Sequence, residues 1–554
     1  MLYEKFYEEY TNSNGELKGR FTYNDNFNFA FDVLDELAKS SPDALALIHK
    51  SLHGQVTKFT FAQIAKESAK IANMLKADGI GKGDAVMLVM KRRYEFWFVM
   101  MALHRLGAVA IPTSHMVTGE DIESRLIRAG AKGIVILNDG YIVSEVSKVF
   151  ENKELDAKVL KYNVGDELEG FKHLTKNAIS FEDTIERPDN KATDPMLYYF
   201  TSGTSGAPKC VVHNYTYPLC HIVTAKNWHG VVKGGVHLTV ADSGWAKFVW
   251  GKMYGQWIME TTVLCYDYEQ FYAEEMLSLL AEMKVTTFCA PPTIYKYLVR
   301  EDITKYNLSS LVQVVSAGEH LPEPVADKFK QATGLEIREG FGQTETPCQI
   351  YTPVGCKQVA GSIGKASPVL NFKLIDEDNN EVKPGETGEL CITKNEDGSI
   401  PIGIFSSYLD DKDTYDQVWE GGIYHTNDRA YMNEDGYYFF VGRADDVIKS
   451  SGYRIGPSEV EDILLEHEAV KECAVTGYPS ATRGELVKAS IILENGYEKT
   501  PELKRTLQDF VKSRTALYKY PRVIEFVDDM PRSTSGKISR RLIRDNDLKK
   551  AQMK

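Results

Sequence analysis

The chain has 554 residues, 65 of them basic and 78 acidic, for a formal charge of -13, and 43% of it is apolar. That length allows several domains of roughly 100 to 200 residues, while the acidic balance argues against a general nucleic-acid binder, which needs clustered cations against phosphate. The longest uninterrupted apolar run, Phe96 to Leu103, closes at His104, far short of the roughly 20 residues needed to cross a bilayer, so a transmembrane protein is excluded.

The N-terminal stretch MLYEKFYEEYTNSNGELKGRF mixes acids with aromatics and has neither a basic-then-apolar signal nor an acid-poor transit pattern. The eight cysteines form no CxxC pair, and none has a histidine at metal-ligand spacing. A disulfide framework and a zinc site are therefore not expected, and the cysteines read as small buried hydrophobes in a reducing compartment. The expected location is the cytoplasm. Short apolar runs follow at Ala85 to Met90, Gly133 to Leu137, Val236 to Val240, Thr286 to Ala290 and Val312 to Val315. They alternate with helical periodicity, clearest over Tyr272 to Met283 and Glu323 to Thr333. That rhythm predicts a layered α/β protein with mostly parallel sheets. After Asp435-Gly436 a strand over Tyr437 to Val441 leads into Gly442-Arg443-Ala444-Asp445-Asp446. Beyond it lie helices at Ser458 to His467 and Pro501 to Ser513, and strands at Cys473 to Gly477 and Lys488 to Leu493. The spacing predicts a large N-terminal domain over 1–444 and a smaller α+β domain over 445–554.

The most informative segment is Thr201-Ser202-Gly203-Thr204-Ser205-Gly206-Ala207-Pro208-Lys209, directly after the strand-like run Met196 to Phe200. Small residues leave backbone N–H groups free to converge on an anion, hydroxyls add donors, and Lys209 adds a compact cation. The segment is a phosphate cradle, yet neither GxxxxGK[ST] nor GxGxxG is present. A generic Ser/Gly cluster would be a turn; the dense order of hydroxyls ending in Pro-Lys decides for phosphate.

This segment resembles the signature of the adenylate-forming superfamily of acyl-CoA synthetases, luciferases and adenylation domains, and the similarity continues in order from about residue 40 to 545. Gly340-Phe341-Gly342-Gln343-Thr344-Glu345, preceded by Glu339, resembles the aromatic-Gly-x-Thr-Glu loop. The resemblance implies that Phe341 lies against adenine, Thr344 meets the α-phosphate and Glu345 binds Mg²⁺, a hard ion that takes oxygen ligands. Ser316-Ala317-Gly318-Glu319-His320 is similar to the adenine-side loop, with His320 where Pro is usual. Thr426-Asn427-Asp428 resembles Thr-Gly-Asp, whose Asp takes the ribose hydroxyls; Asn427 replaces Gly and can keep a left-handed turn. Arg443 resembles the second ribose contact and Asp445 the hinge.

Pro531-Arg532-Ser533-Thr534-Ser535-Gly536-Lys537 resembles the mobile catalytic-lysine loop, in which one cation reaches the carboxylate substrate and the α-phosphate. With Lys537, the resemblance gives catalysis to Thr204, Thr344 and Glu345. From Arg532 to Lys554 there are eight basic and two acidic side chains, and Lys549 to Lys554 read as a solvated tail. Lys449 to Ile455 resembles the loop that enters the site for the second half-reaction, placing Ser451, Gly452, Tyr453 and Arg454 against coenzyme A. In short-acid relatives a Trp precedes the Gln-Thr-Glu triplet; Gly342 stands there instead, and its small size is expected to open the acyl cavity. The aromatic stretch Trp245 to Trp257 resembles that of medium-chain acyl-CoA synthetases, so Trp245 and Trp250 join Gly342 as acyl-binding candidates, with a core-packing helix as the alternative.

What the resemblance implies is an ATP-dependent acyl-CoA synthetase, a ligase using Mg·ATP and coenzyme A on a medium-chain or branched carboxylic acid. An acyl-AMP or carrier-protein ligase would share these motifs. A noncatalytic nucleotide-binding sensor would keep the cradle but have no use for Lys537, and nothing requests a luciferase-like oxygenase. No cysteine is given a nucleophilic role.

Overall fold

A computed structural model describes every residue except 202–207, 320, 451–452, 481, 533–536 and 553–554, with the backbone alone at 454, 551 and 552. Two large sheets organise the first four hundred residues. In one, six parallel strands run in the order Pro195–Thr201, Val109–Pro112, Ala85–Val89, Gly133–Leu137, Leu160–Val164 and Lys172–His173. Lys209–Asn214 and Ser407–Tyr408 add antiparallel strands on the Pro195 side. In the other, six parallel strands run Ile337–Gly342, Gln313–Ala317, Thr287–Ala290, Val236–Thr239, Thr262–Tyr266 and Leu45–Lys50, with antiparallel strands at both edges. A parallel strand needs a crossover, and both faces of the sheet are thereby covered. Hence Ala85–Val89 is apolar and buried at every position rather than alternating.

Helices Ala273–Glu282 and Glu323–Thr333 stand where the periodicity places them. The long apolar run belongs to helix Glu95–Leu106, all of it buried. A helix apolar on every side must be enclosed; here one core takes Val86 and Leu88 from the first sheet and Leu47 and Val263 from the second. No helix among the described residues is long and apolar enough to cross a membrane.

A four-stranded antiparallel sheet, Asn371–Ile375, Gly388–Thr393, Ile423–Met432 and Tyr438–Arg443, comes next. Between Arg443 and Ile448 the chain passes to a five-stranded sheet with its own core, built from Ile448, Val460, Val475, Val487, Leu507 and Ile524. Lys549 and Lys550 are exposed, as a solvated end requires, while the basic residues nearer Arg532 find partners. Helix Arg540–Gln552 is docked on this unit: Arg540 meets Glu461 at 2.6 Å and Arg544 pairs with Asp446. Lys550 meets Glu525 at 2.8 Å, and the buried Lys488 ammonium lies 2.6 Å from buried Asp547. Sequence charge counting cannot see these partners, which come from strands and helices up to a hundred residues away.

Candidate active site

The candidate residues gather at the carboxyl ends of adjacent parallel strands, where the second sheet turns from parallel to antiparallel pairing. In open α/β sheets, ligands bind in such crevices. Ala317 pairs with Gly340, so Gly318-Glu319 and Gly342-Gln343 leave the sheet side by side. Gly318 has φ +106, a conformation side chains rarely adopt. Glu319 accepts a hydrogen bond from the Thr293 hydroxyl at 2.8 Å. Glu339 is buried, its backbone N–H donating to Gln358 at 3.0 Å, and Phe341 packs on Phe440 with ring centroids 5.6 Å apart.

Gln343 ties the loop to the four-stranded sheet. Its amide donates to Asp428 Oδ2 at 2.6 Å and the Thr426 carbonyl at 2.8 Å, while Tyr424 O–H donates to its Oε1 at 2.8 Å. Asn427 has φ +58, so it does keep the left-handed turn its amide side chain tolerates. Asp428 pairs with Arg443 across the strands. Burial pushes the buried Asp428 carboxyl up to about 7, opposed by the Arg443 cation and Gln343. Arg443 is itself desolvated, but Asp428 and Asp445 outweigh that and hold its pKa above the usual guanidinium value; its Nε lies 3.3 Å from Asp445. Glu345 Oε1 accepts from Tyr408 O–H at 2.9 Å, and the Thr344 carbonyl lies 2.8 Å from His213 Nε2.

Thr201 and Lys209, which flank residues 202–207, are cross-strand partners, and Lys209 Nζ sits 5.0 Å from the centre of the same Tyr408 ring. Tyr408 therefore joins Lys209 to Glu345. Ser202, Gly203, Thr204, Ser205, Gly206 and Ala207 lie outside the described residues, as do His320, Ser451 and Gly452; for Arg454 only the backbone is described. Pro208 accepts a hydrogen bond from Arg128.

Lys537 comes to this place from the C-terminal unit. Its Nζ would lie 3.9 Å from a β-carbon on Gly318. The residue as a whole is exposed, yet desolvation of its ammonium lowers the pKa, with Glu319 and Asp428 opposing and Lys247 and Arg443 adding to the fall. Lys247, whose Nζ donates to the Ala317 carbonyl at 2.7 Å, is a second cation at the site that the sequence reading passed over. Its signal is a lysine two positions after Trp245, in the first turn of the aromatic helix Ala246–Lys252. Tyr408 and Tyr424 were also missed, because nothing local marks an aromatic that serves a carboxylate or amide sixty residues away or more. Tyr453 is not brought to the site: it is exposed and stacks on Tyr518 at 4.1 Å.

The acyl candidates correct one expectation. A β-carbon on Gly342 would run into the Pro347 carbonyl oxygen and come within 2.9 Å of Trp250 Cη2. Gly342 therefore does not leave a cavity open. It permits close approach of backbone and indole, and Trp250, whose Nε1 donates to Tyr217 at 2.7 Å, stands beside it. Gly342 is absent from the positive-φ residues, so space rather than backbone strain demands glycine. Trp245 is half-buried at the start of the same helix. Trp257, by contrast, is a core residue bonded to Ala46.

Residues 34–409 match the AMP-binding enzyme family and residues 459–537 its C-terminal domain. The chain is 38% identical to the human mitochondrial acyl-coenzyme A synthetase ACSM5 over 95% of its own length and 91% of that protein's. It is 36% identical to the Rattus norvegicus mitochondrial acyl-coenzyme A synthetase ACSM3 over 94% and 90%. Among solved structures, an anthranilate CoA ligase in complex with anthranoyl-AMP superimposes with a TM-score of 0.87 at 27% identity, covering 96% of this chain and 99% of that one. The chain belongs to the AMP-binding enzyme family, among its acyl-CoA synthetases.

Proposed function

We propose that the chain activates a medium-chain or branched carboxylic acid with Mg·ATP and passes the acyl group to coenzyme A. The observation that carries this is the placement of Lys537 Nζ, from the C-terminal unit, beside Gly318 of the N-terminal one, near enough to Glu319, Asp428 and Arg443 for their charges to act on it. In the first step the carboxylate attacks the α-phosphorus and pyrophosphate leaves. Lys537 supplies a preorganised cation to the oxygens whose charge shifts, worth most where the site excludes water. Asp428 and Arg443 hold the ribose, with Gln343 fixing the carboxylate, and Phe341 faces the adenine. The residues 201–209 and Thr344 bind phosphate. Glu345 suits the Mg²⁺ that accompanies ATP: Tyr408 fixes one carboxylate oxygen, and among the described residues no hydrogen bond reaches the other, leaving it for a hard cation.

In the second step the domain 445–554 turns on Asp445, Lys537 withdraws, and the loop Ser451 to Arg454 approaches so that the coenzyme A thiol displaces AMP. Hinge closure of this kind needs only a few residues that absorb the dihedral change. A bounded acyl space supports the intermediate size of acid, because Trp250, fixed by Tyr217, closes on Gly342. The ACSM3 and ACSM5 relatives, named acyl-coenzyme A synthetases, support transfer of an acyl group to coenzyme A. We place the protein in a reducing, cytoplasmic setting, consistent with all eight cysteines being free and seven of them buried.

A pyrophosphate-release screen over linear, branched and aromatic acids of roughly two to twelve carbons, with and without coenzyme A, tests this. Turnover is expected with intermediate acids and dependent on coenzyme A for thioester. Adenylate without thioester would favour the carrier-protein ligase, and pyrophosphate from no acid would favour a sensor.

A further inference from the structure

Cys391 and His425 are 34 residues apart in sequence, so no short ligand spacing joins them. The sheet makes them direct cross-strand partners, and Glu389 lies two residues before Cys391 on the same strand. Successive residues alternate between faces, which sets Glu389 and Cys391 on one side, opposite His425. Cys391 Sγ is 3.8 Å from His425 Nδ1, His425 Nδ1 is 3.2 Å from Glu389 Oε2, and all three donor atoms lie within 4.8 Å of one another.

Those separations fit a tetrahedral ion. With bonds of ~2.3 Å to sulfur and ~2.0–2.2 Å to nitrogen and oxygen, the edges between donors come to roughly 3.3–3.6 Å. The sulfur–nitrogen and nitrogen–oxygen separations are each within a few tenths of an ångström of these edges, and the sulfur–oxygen separation, under 4.8 Å, closes by side-chain rotation. Thiolate and imidazole select a borderline-soft cation over Mg²⁺. We propose that Cys391, His425 and Glu389 form a binding site for a divalent cation of the Zn²⁺ class, separate from the magnesium that travels with ATP. Cys391 is fully buried, whereas the side chains of His425 and Glu389 are 21% and 24% exposed, which gives the ion a way in and leaves a fourth position for water. Burial and the neighbouring Glu389 favour the protonated thiol in the metal-free protein, so loading exchanges that proton for the cation.

The position gives the ion a consequence. The pairing between the strands is irregular between Glu389 and Cys391, and the extra residues on the partner strand include left-handed Asn427. Glu389 Oε1 accepts the Asn427 backbone N–H at 3.0 Å while Oε2 faces the cation position. A bound cation therefore fixes the carboxylate that holds the turn into Asp428.

Metal-stripped full-length protein is titrated with Co²⁺ and, separately, with Zn²⁺ against a chromophoric chelator in the presence of Mg²⁺. One equivalent is expected to bind, with thiolate-to-cobalt charge-transfer absorption and a rise in melting temperature. Both signals are expected to fall at least tenfold in affinity in Cys391→Val, which keeps the buried volume, and in His425→Gln. Cys356→Ser, which removes the exposed thiol, should bind as the parent does. Absence of the charge-transfer band in the parent overturns the proposal. So does a band that survives in Cys391→Val and disappears in Cys356→Ser, because the thiolate would then be the exposed one.

Discussion

The floor of the site and the lysine above it are held in different ways. Gly318, Gly342 and Asp428 issue from strands whose registers are fixed by buried sheets, and Gln343 bonds one strand system to the other. Lys537 belongs to a unit with its own core, connected through the stretch after Arg443. The floor is thus a property of folding, while the cation is a property of docking. A two-step enzyme can use that difference: what must stay is built into sheets, and what must leave is carried on an independently packed body.

Removing the docked cation should produce the largest effect. Lys537→Ala is expected to slow acyl-adenylate formation by about 10² to 10³, the usual loss for one preorganised transition-state contact. Thioester formation from supplied acyl-AMP should be nearly unchanged. The two half-reactions are measured separately, by pyrophosphate release and by thioester yield, and an equal loss in both would place Lys537 in the permanent floor.

The floor should break differently. Gly342→Ala forces a β-carbon against Pro347 and Trp250, and overpacking of that kind costs about 1–3 kcal/mol. Both half-reactions should weaken and thermal stability should fall together. Gly342→Trp is expected to do the same more severely, and not to convert the enzyme to acetate. A well-folded Gly342→Trp that prefers acetate would show that the loop yields.

Asp428 links the two regions through charge. Its folded pKa of about 7 lies above the ordinary 3.8 because burial disfavours the anion. The neutral acid therefore contributes stability fully below about pH 4, and that contribution is lost as pH rises through 7. Ribose hydroxyls donate hydrogen bonds, so they favour the anion, and ATP affinity should move the other way. An approximately tenfold gain in affinity from pH 6 to 8 is expected, since about one-tenth of the groups are ionised one unit below a pKa. Asp428→Asn should bind ATP weakly and without that slope. A parent enzyme with a flat binding profile from pH 6 to 8 would show that Asp428 is already ionised at the lower end.

Asp445→Pro sharpens the comparison from the connecting segment. Proline fixes φ near -65°, and the ratio of adenylation to thioester rates should shift by several-fold in a folded variant. Unchanged rates for both steps would move the pivot elsewhere.

Much of the floor was legible because its chemistry is local. The strand before Thr201, the Gly-rich turn at Gly340–Glu345 and the left-handed tolerance of Asn427 are all written in neighbouring residues. The docked arginines and the acyl wall were not legible. Charge counting assigned the arginines after Arg532 no partners, which their helix finds in Glu461 and Asp446, and Gly342 looked like an opening until Pro347 and Trp250 closed on it. The Cys391–His425 pair was passed over for the same reason. Register and docking bring distant residues together, and spacing along the chain does not record either.

The smallest expected effect concerns Trp250, which borders the fixed floor beside Gly342. Trp250→Phe removes the far part of the indole and the hydrogen bond to Tyr217, leaving an aromatic ring in the helix. If Trp250 bounds the acyl space, the variant should accept acids one or two carbons longer. Each added methylene buried is worth roughly 0.8 kcal/mol, or about fourfold in kcat/KM. Because the nucleotide contacts we propose lie on Asp428, Arg443 and the glycine-rich loops, ATP affinity should stay within about twofold. Measuring kcat/KM across the acid series together with apparent ATP affinity separates the outcomes. A longer preferred acid at constant ATP affinity assigns the wall to Trp250. Parallel losses for every acid would mean that the indole supports Gly342 and the floor, and that the acyl chain runs elsewhere.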